Sequence, residues 1–321
     1  MRLSQNARME VRMRIGIDLG GTNIAGGVLN DSGELLCAKS IPTDAQRPYS
    51  EVIHDMGLLA VELAQMAGTS IDSVESVGVG SPGTPHKETG NILYSNNLGW
   101  ENVPLVQELG RYIPVPIRLD NDANCAALGE YAAGAAKGCR SAVMVTFGTG
   151  VGGGIVLDGK IHSGFNSAGG EIGHMVVVSG GVRCTCGRKG CWESYASATA
   201  LIRMGNDAAD RNPRSLLASM RQRDRLNGRL IFDAAQKGDA AANQVIKGYI
   251  WYMAEGITNL VNIFQPEAIV LGGGICAQGD YIVNPIREYV AQGVFCKQVA
   301  LPRMVTATLG NDAGIIGAAL L

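Results

Sequence analysis

IDLGGTNIAGGVLNDSG, residues 17–33, decides the fold. It continues an apolar run, 14–18, that reads as a buried strand. The run breaks at the turn Leu19-Gly20-Gly21-Thr22 and resumes as a second strand over Ile24–Leu29. Asp31-Ser32-Gly33 signals a tight turn, and Glu34–Lys39 continues as a third strand. A glycine turn between two strands differs from the dinucleotide fingerprint, whose glycines open a helix. VTFGTGVGGGIVLDG, residues 145–159, follows the same order. Val143–Phe147 is its first strand, Gly148-Thr149-Gly150 the turn, Gly153–Leu157 the returning strand, and Asp158-Gly159 leads into Lys160–His162. Two glycine-rich hairpins can arise independently. The matched order instead indicates an internal duplication, and with it two similar domains facing one another.

Helical patterns fill the intervals. His54–Ala67 carries an apolar stripe, and Ala123–Ala136 is alanine-rich with Asn121 or Asp122 as its cap. Within 241–264, Val245, Ile246, Ile250, Met253, Ile257, Leu260, Val261 and Phe264 repeat at helical spacing. Pro266 ends that helix, and Ala268–Leu271 is a strand running into Gly272-Gly273-Gly274. Residues 205–230 are polar and basic and read as a helix-rich surface insertion. The tail 313–321, AGIIGAALL, reads as a small apolar helix packed against the first domain. The fold class is mixed α/β.

Composition narrows the function. A chain of 321 residues with net charge −2 has no basic field for nucleic acid and no polybasic membrane anchor. No run approaches the roughly 18 apolar residues of a membrane span. The start, MRLSQNARMEVRMR, holds four arginines with no apolar stretch behind them, so it reads as a short tail rather than a secretory signal, with Met9 or Met13 as alternative starts. Eight cysteines, five of them scattered, read as reduced thiols of a cytoplasmic protein.

The remaining three cysteines carry the strongest chemical signal. CTCGRKGC places Cys184, Cys186 and Cys191 within eight residues, with His174 ten residues upstream. Cys₃His is a tetrahedral zinc set. Four protein ligands leave no open position, so such a metal is structural. A redox pair beside an unrelated thiol is the competing reading. Asp18 with Gly20, Gly21, Thr22 and Asn23 forms a second signal: turn amides cradle phosphate oxygens, and a nearby carboxylate holds the magnesium that bridges them. DLGGT also makes an ordinary hairpin turn, but a second turn at Gly148, Thr149 and Gly150 suits the other side of one triphosphate. Asp122, in LDNDANCAALGE, stands where an Asp caps a helix. A carboxylate held there can also accept a proton from a substrate hydroxyl, with Asp120 as a solvated neighbour. Glu171 and Glu193 flank the metal segment and, pinned together by zinc, suit paired hydrogen bonds to adjacent hydroxyls; two exposed surface glutamates are the plainer alternative.

IDLGGTN, DNDANCAALGE, GTGVGGG, AGGEIGH, CTCGRKGCWE and LGGGI, in that order, resemble the ROK family, which groups sugar kinases with related repressors; the resemblance covers about 13–321. It implies the actin-like ATPase (ribonuclease H-like) fold, two α/β domains around a cleft: a smaller one over 13–121, completed by a helix at about 311–321, and a larger one over 122–310 with the zinc loop. It implies ATP-dependent phosphorylation of a hexose 6-hydroxyl, most similar to the family's glucokinases, in a homodimer or homotetramer with Mg²⁺ and structural Zn²⁺. Asp122 matches the catalytic base. Asn121, Glu171, His174 and Glu193 match sugar ligands, as do Gly83 and Asn97 in closing loops. Asp18 to Asn23, Gly148 to Gly150 and Gly272 to Gly274 match nucleotide-binding segments. Thr84-Pro85-His86-Lys87 departs from the family pattern of an apolar residue and an acid. That leaves mannose, fructose, allose and N-acetylmannosamine as alternative acceptors. The repressor branch needs a helix-turn-helix segment that the short stretch before Ile15 does not supply.

Overall fold

The structure, a computed structural model, describes residues 12–321. The reading of the arginine-rich start and of Met9 lies outside the described residues. The chain divides into two compact units. The first comprises the residues up to Ala133 with Gly164–Ala168 and Asn311–Leu321; the second comprises Gly134–Ser163 and Gly169–Gly310.

In the first unit, β1 (Arg14–Leu19), β2 (Asn23–Leu29) and β3 (Leu35–Pro42) form the expected antiparallel set. Helix α1 (Tyr49–Met66) precedes β4 (Ser76–Ser81), which pairs in parallel with β1. A separate three-stranded sheet holds β5 (Thr84–His86), β6 (Asn91–Ser95) and β7 (Trp100–Val103). A short helix α2 (Leu105–Leu109) leads to β8 (Ile117–Asn121), parallel to β4, and then to α3 (Asp122–Ala132). The main sheet runs β3-β2-β1-β4-β8. Its centre is apolar because both faces are covered: Ile15, Ile17 and Leu19 have no exposed surface. The C-terminal helix, Asp312–Ala319, buries every residue from Ala313 to Ala319. A helix apolar on all sides has nowhere else to go, and its small residues let it pack closely on α3 and β1. Helix α3 therefore belongs with the first unit, not at the head of the second.

The second unit repeats the plan. Strands β9 (Ser141–Phe147), β10 (Val151–Leu157) and β11 (Lys160–Ile161) are antiparallel. Five helices follow: α4 (Glu193–Ala196), α5 (Ala198–Arg211), α6 (Leu216–Arg223), α7 (Gly228–Gln236) and α8 (Ala240–Phe264). Then come β12 (Ala268–Gly272), α9 (Asp280–Gly293) and β13 (Arg303–Thr306). The sheet order, β11-β10-β9-β12-β13, has the same antiparallel triple continued by two parallel strands. The inferred duplication is present. Residues 205–230 are more than a surface insertion: Leu217, Ala218 and Leu226 are buried in this unit's core. The polar residues of α5 and α6 had hidden that inner face. All eight cysteines are unpaired. Among the described residues, no helix is long and apolar enough to cross a membrane.

Candidate active site

In the first unit the turn between β1 and β2 is exposed at residues 21–23 and anchored from behind. Thr43, fully buried, donates its hydroxyl to Gly20 O (2.7 Å) and its N–H to Thr22 O (2.8 Å). Gly20 N closes the turn on Asn23 O (2.9 Å), so the stretch that meets a ligand is the exposed one, 21–23. Asn97 lies against Gly21 and lines a cavity of about 530 Å³ with Arg47, Tyr49, Trp100 and Glu101. This volume is in the range that holds small ligands.

Asp18 and Asp120 occupy one row across the carboxyl ends of three parallel strands, with Gly80 between them. Ligands of parallel α/β sheets bind at such ends. The backbone of the C-terminal helix approaches Asp18 so closely that a Cβ on Gly314 would lie 2.4 Å from Asp18 Oδ2. Burial, and then the negative charge of Asp122, raise the Asp18 carboxyl to about 7. A cation beside Asp18 would offset that repulsion and bring its carboxyl down again.

Asn121, not Asp122, caps α3: its Oδ1 accepts from Ala123 N (2.9 Å) and Asn124 N (3.3 Å). Its Nδ2 donates to Gly83 O (3.0 Å), which joins two of the expected sugar contacts. Asp122 is thereby the first helical residue, and its Oδ1 also accepts from Ala123 N (2.9 Å). Asp120 is no solvated neighbour. It is 1 % exposed, and its Oδ1 accepts from Asn121 N (2.7 Å) and Asn124 Nδ2 (2.9 Å). Lys87 Nζ stands 2.6 Å from its Oδ2. Sequence reasoning gave Thr43, Asp120 and Lys87 no role; the one hint was the unusual composition of residues 84–87.

In the second unit the turn after β9 is secured in the same manner. Ala198 N donates to Gly148 O (2.8 Å) and Thr199 Oγ1 to Thr149 O (2.8 Å). Pairing of Gly272 with Thr146 brings the Gly272–Gly274 loop beside this turn. Glu193 Oε2 accepts from Val151 N (3.1 Å), immediately after the turn, and fills the space above Gly150, where a Cβ would lie 2.4 Å from it.

His174, Cys184, Cys186 and Cys191 place their ligand atoms within 4.8 Å of one another. Cys184 Sγ is 3.6 Å from His174 Nδ1, and Cys186 Sγ is 3.6 Å from Cys191 Sγ. For bonds of about 2.0 to 2.3 Å a tetrahedron has edges of about 3.5 to 3.8 Å, so the donor set fits zinc. Short bridges, Val176 with Cys191 and Arg183 with Lys189, close the loop around the cluster. Burial raises both inner thiols. At Cys184 the hydrogen bonds from the Cys186 N–H, the other two thiols and His174 prevail and bring it to about 7, while Cys191 is pushed up to about 12. A dication deprotonates such a set outright. Glu193 Oε1 lies 3.9 Å from Cys184 Sγ, so this glutamate spans the space between the cluster and the glycine turn. Glu171 is exposed, at the start of the single turn Ile172–His174.

The family model described as "ROK family" matches residues 14–321. A protein named glucokinase from Halalkalibacterium halodurans is 37 % identical over 317 residues, covering 96 % of this chain and 94 % of that one. Among solved structures, the ROK family glucokinase of Streptomyces griseus in complex with glucose and AMPPNP is 32 % identical, with a TM-score of 0.78 and coverage of 96 % and 98 %. The ROK hexokinase of Thermus thermophilus is 34 % identical, with a TM-score of 0.81 and coverage of 96 % and 97 %.

Proposed function

Because the chain belongs to the ROK family, we propose that it transfers the γ-phosphoryl group of ATP to the 6-hydroxyl of glucose. Its two similar sheets are those of the actin-like ATPase fold. The observation that carries the reading is the placing of Asp122 at the start of α3, near enough to Asp18 to raise its pKa. Asp122 takes the proton of the 6-hydroxyl as that oxygen attacks the γ-phosphorus. The bond to the β,γ-bridging oxygen breaks in line, and ADP leaves. In a loose transition state of this kind, positioning and charge neutralisation supply most of the rate.

Asp18 is the residue that would hold magnesium, which would supply neutralisation of the phosphate charge. The turns Gly20–Asn23 and Gly148–Gly150, with the Gly272–Gly274 loop, receive the triphosphate. Gly83, Asn97, Asn121, Glu171, His174 and Glu193 orient the sugar. His174, Cys184, Cys186 and Cys191 would hold zinc, which would fix the segment that carries three of these residues. Homodimeric or homotetrameric assembly and a reducing, cytoplasmic setting belong to the same reading.

Asp122→Asn tests it. Removing a general base costs about 10²- to 10⁴-fold in kcat, whereas glucose binding, followed by intrinsic tryptophan fluorescence, persists. Near-normal turnover in this variant ends the base assignment. ADP release measured with glucose, mannose, fructose, allose and N-acetylmannosamine fixes the acceptor, and a preference other than glucose overturns that part.

A further inference from the structure

Lys87 sits in a turn whose shape is fixed. Gly90 N donates to His86 O (2.8 Å), Thr89 Oγ1 lies 3.0 Å from His86 Nδ1, and Pro85 stiffens the entry. From this turn the Lys87 ammonium reaches Asp120 Oδ2 at 2.6 Å, with 40 % of the lysine side chain exposed and 2 % of the aspartate's. Asp120 is buried among other carboxylates: Asp18 lies in the same row of the sheet, and Asp122 follows two residues later. A buried carboxylate with no countercharge is expensive. Here its backbone-side oxygen is also a scaffold, receiving Asn121 N and Asn124 Nδ2, so any shift of Asp120 moves both the cap of α3 and the residue that begins it.

We propose that Lys87 is a positioning residue for phosphoryl transfer: its ammonium neutralises Asp120 and so holds Asn121 and Asp122 in their working places. The chain of contacts runs from the β5–β6 turn, through the ion pair, to the amide at the head of α3. It is reinforced by Asn121 Nδ2 on Gly83 O, which ties the same helix start to the opposite end of β5. The inference rests on Asp122 being the base.

The test compares Lys87→Met, Lys87→Gln, Lys87→Arg, Asp120→Asn and Lys87→Met/Asp120→Asn for kcat, glucose KM and thermal midpoint, with Asp122→Asn alongside. A base displaced by about 1 Å loses about a hundredfold, so Lys87→Met and Lys87→Gln are expected to lower kcat between about tenfold and a hundredfold. Glucose KM rises by less than kcat falls, within about tenfold, because Lys87 does not itself touch the sugar while Asn121, which does, shifts with the cap. Lys87→Arg, which keeps the charge, retains at least about a third of the turnover. Asp120→Asn alone loses activity by turning an amide donor toward the ammonium, and the double variant recovers to within about fivefold of the parent, since neither charge is then left unpaired. Lys87→Gln keeps a hydrogen-bond donor and gives a reading where methionine fails to fold. Normal kcat in Lys87→Gln overturns the role of charge. A raised glucose KM at unchanged kcat makes Lys87 a sugar contact instead. A double variant no better than Lys87→Met removes Asp120 from the account. Normal turnover in Asp122→Asn removes the base itself, whereas loss there beside normal Lys87 variants removes only the positioning role.

Discussion

A single methyl group at Gly150 tests whether Glu193 acts as described, and its effect can be worked from distances. A Cβ there would lie 2.4 Å from Glu193 Oε2, against 3.4 Å for ordinary contact. The carboxylate must therefore withdraw by about 1 Å, and it gives up its bond from Val151 N. Hydrogen bonds to charged groups contribute about 1.5–3 kcal/mol. If Glu193 loses one sugar bond of this class, the penalty is between about tenfold and a hundredfold at about 1.4 kcal/mol per decade. The fold should not suffer, because Gly150 is not among the glycines at positive φ and the obstructed atom ends a flexible side chain. Gly150→Ala is thus expected to shift unfolding by less than about 1 kcal/mol. It should lower kcat/KM for glucose by about tenfold to a hundredfold and leave KM for ATP within about threefold. A coupled ADP-release assay with either substrate varied measures both. If ATP KM rises while glucose KM stays put, the methyl acts on the nucleotide turn and the argument about Glu193 is wrong.

The metal cluster and Asp18 yield further expectations. Cys184→Ser should bind less than one equivalent of zinc per chain and raise glucose KM through Glu193; full activity in protein shown by elemental analysis to hold no zinc contradicts this. In magnesium-free protein, the Asp18 carboxyl binds its proton more tightly folded, at about 7, than unfolded, near 3.8. Its contribution to stability is present below the lower value and is lost as pH rises through the upper one. Asp18→Asn escapes that loss. Relative to the parent it should gain with pH by at most about 4 kcal/mol (about 3 units at about 1.4 kcal/mol each), and about half that once partial exposure is allowed for. Urea unfolding at pH 5 and pH 8 in EDTA gives the difference, and a gap independent of pH counts against the assignment.

Much of this was legible because the sequence signals were local. Strand, glycine turn and strand are set by near neighbours, so β1, β2, β9 and β10 fell close to where the residues placed them. The zinc set was legible because metal geometry demands particular donors at short spacing, and the four side chains do converge. What escaped was non-local. Lys87 and Asp120 are 33 residues apart, and only the packing of β5 beside β8 makes a pair of them. Thr43 is an unremarkable residue at the end of a strand until β3 pairs with β2 and brings it to Gly20. The choice between Asn121 and Asp122 as cap turned on one backbone conformation: Asn121 is extended, at φ −68° and ψ 147°, and helical geometry begins after it.

Duplication supplied the same turn twice, but its chemistry only once. In both units a glycine turn follows the central strand, and a threonine hydroxyl from a neighbouring segment binds a turn carbonyl, Thr43 in one and Thr199 in the other. When the two hairpins are set in register, however, Asp18 stands opposite Thr146. A carboxylate beside a ring of amides repels a bare phosphate, and only a cation converts that repulsion into attraction. A threonine in the same place imposes no such condition. The first turn should therefore bind phosphate oxygens only together with magnesium, and the second should bind them without it. Nucleotide titrations with and without magnesium decide the matter: Asp18→Asn should narrow the gap between the two affinities, and a gap of unchanged size would mean that the cation is held elsewhere.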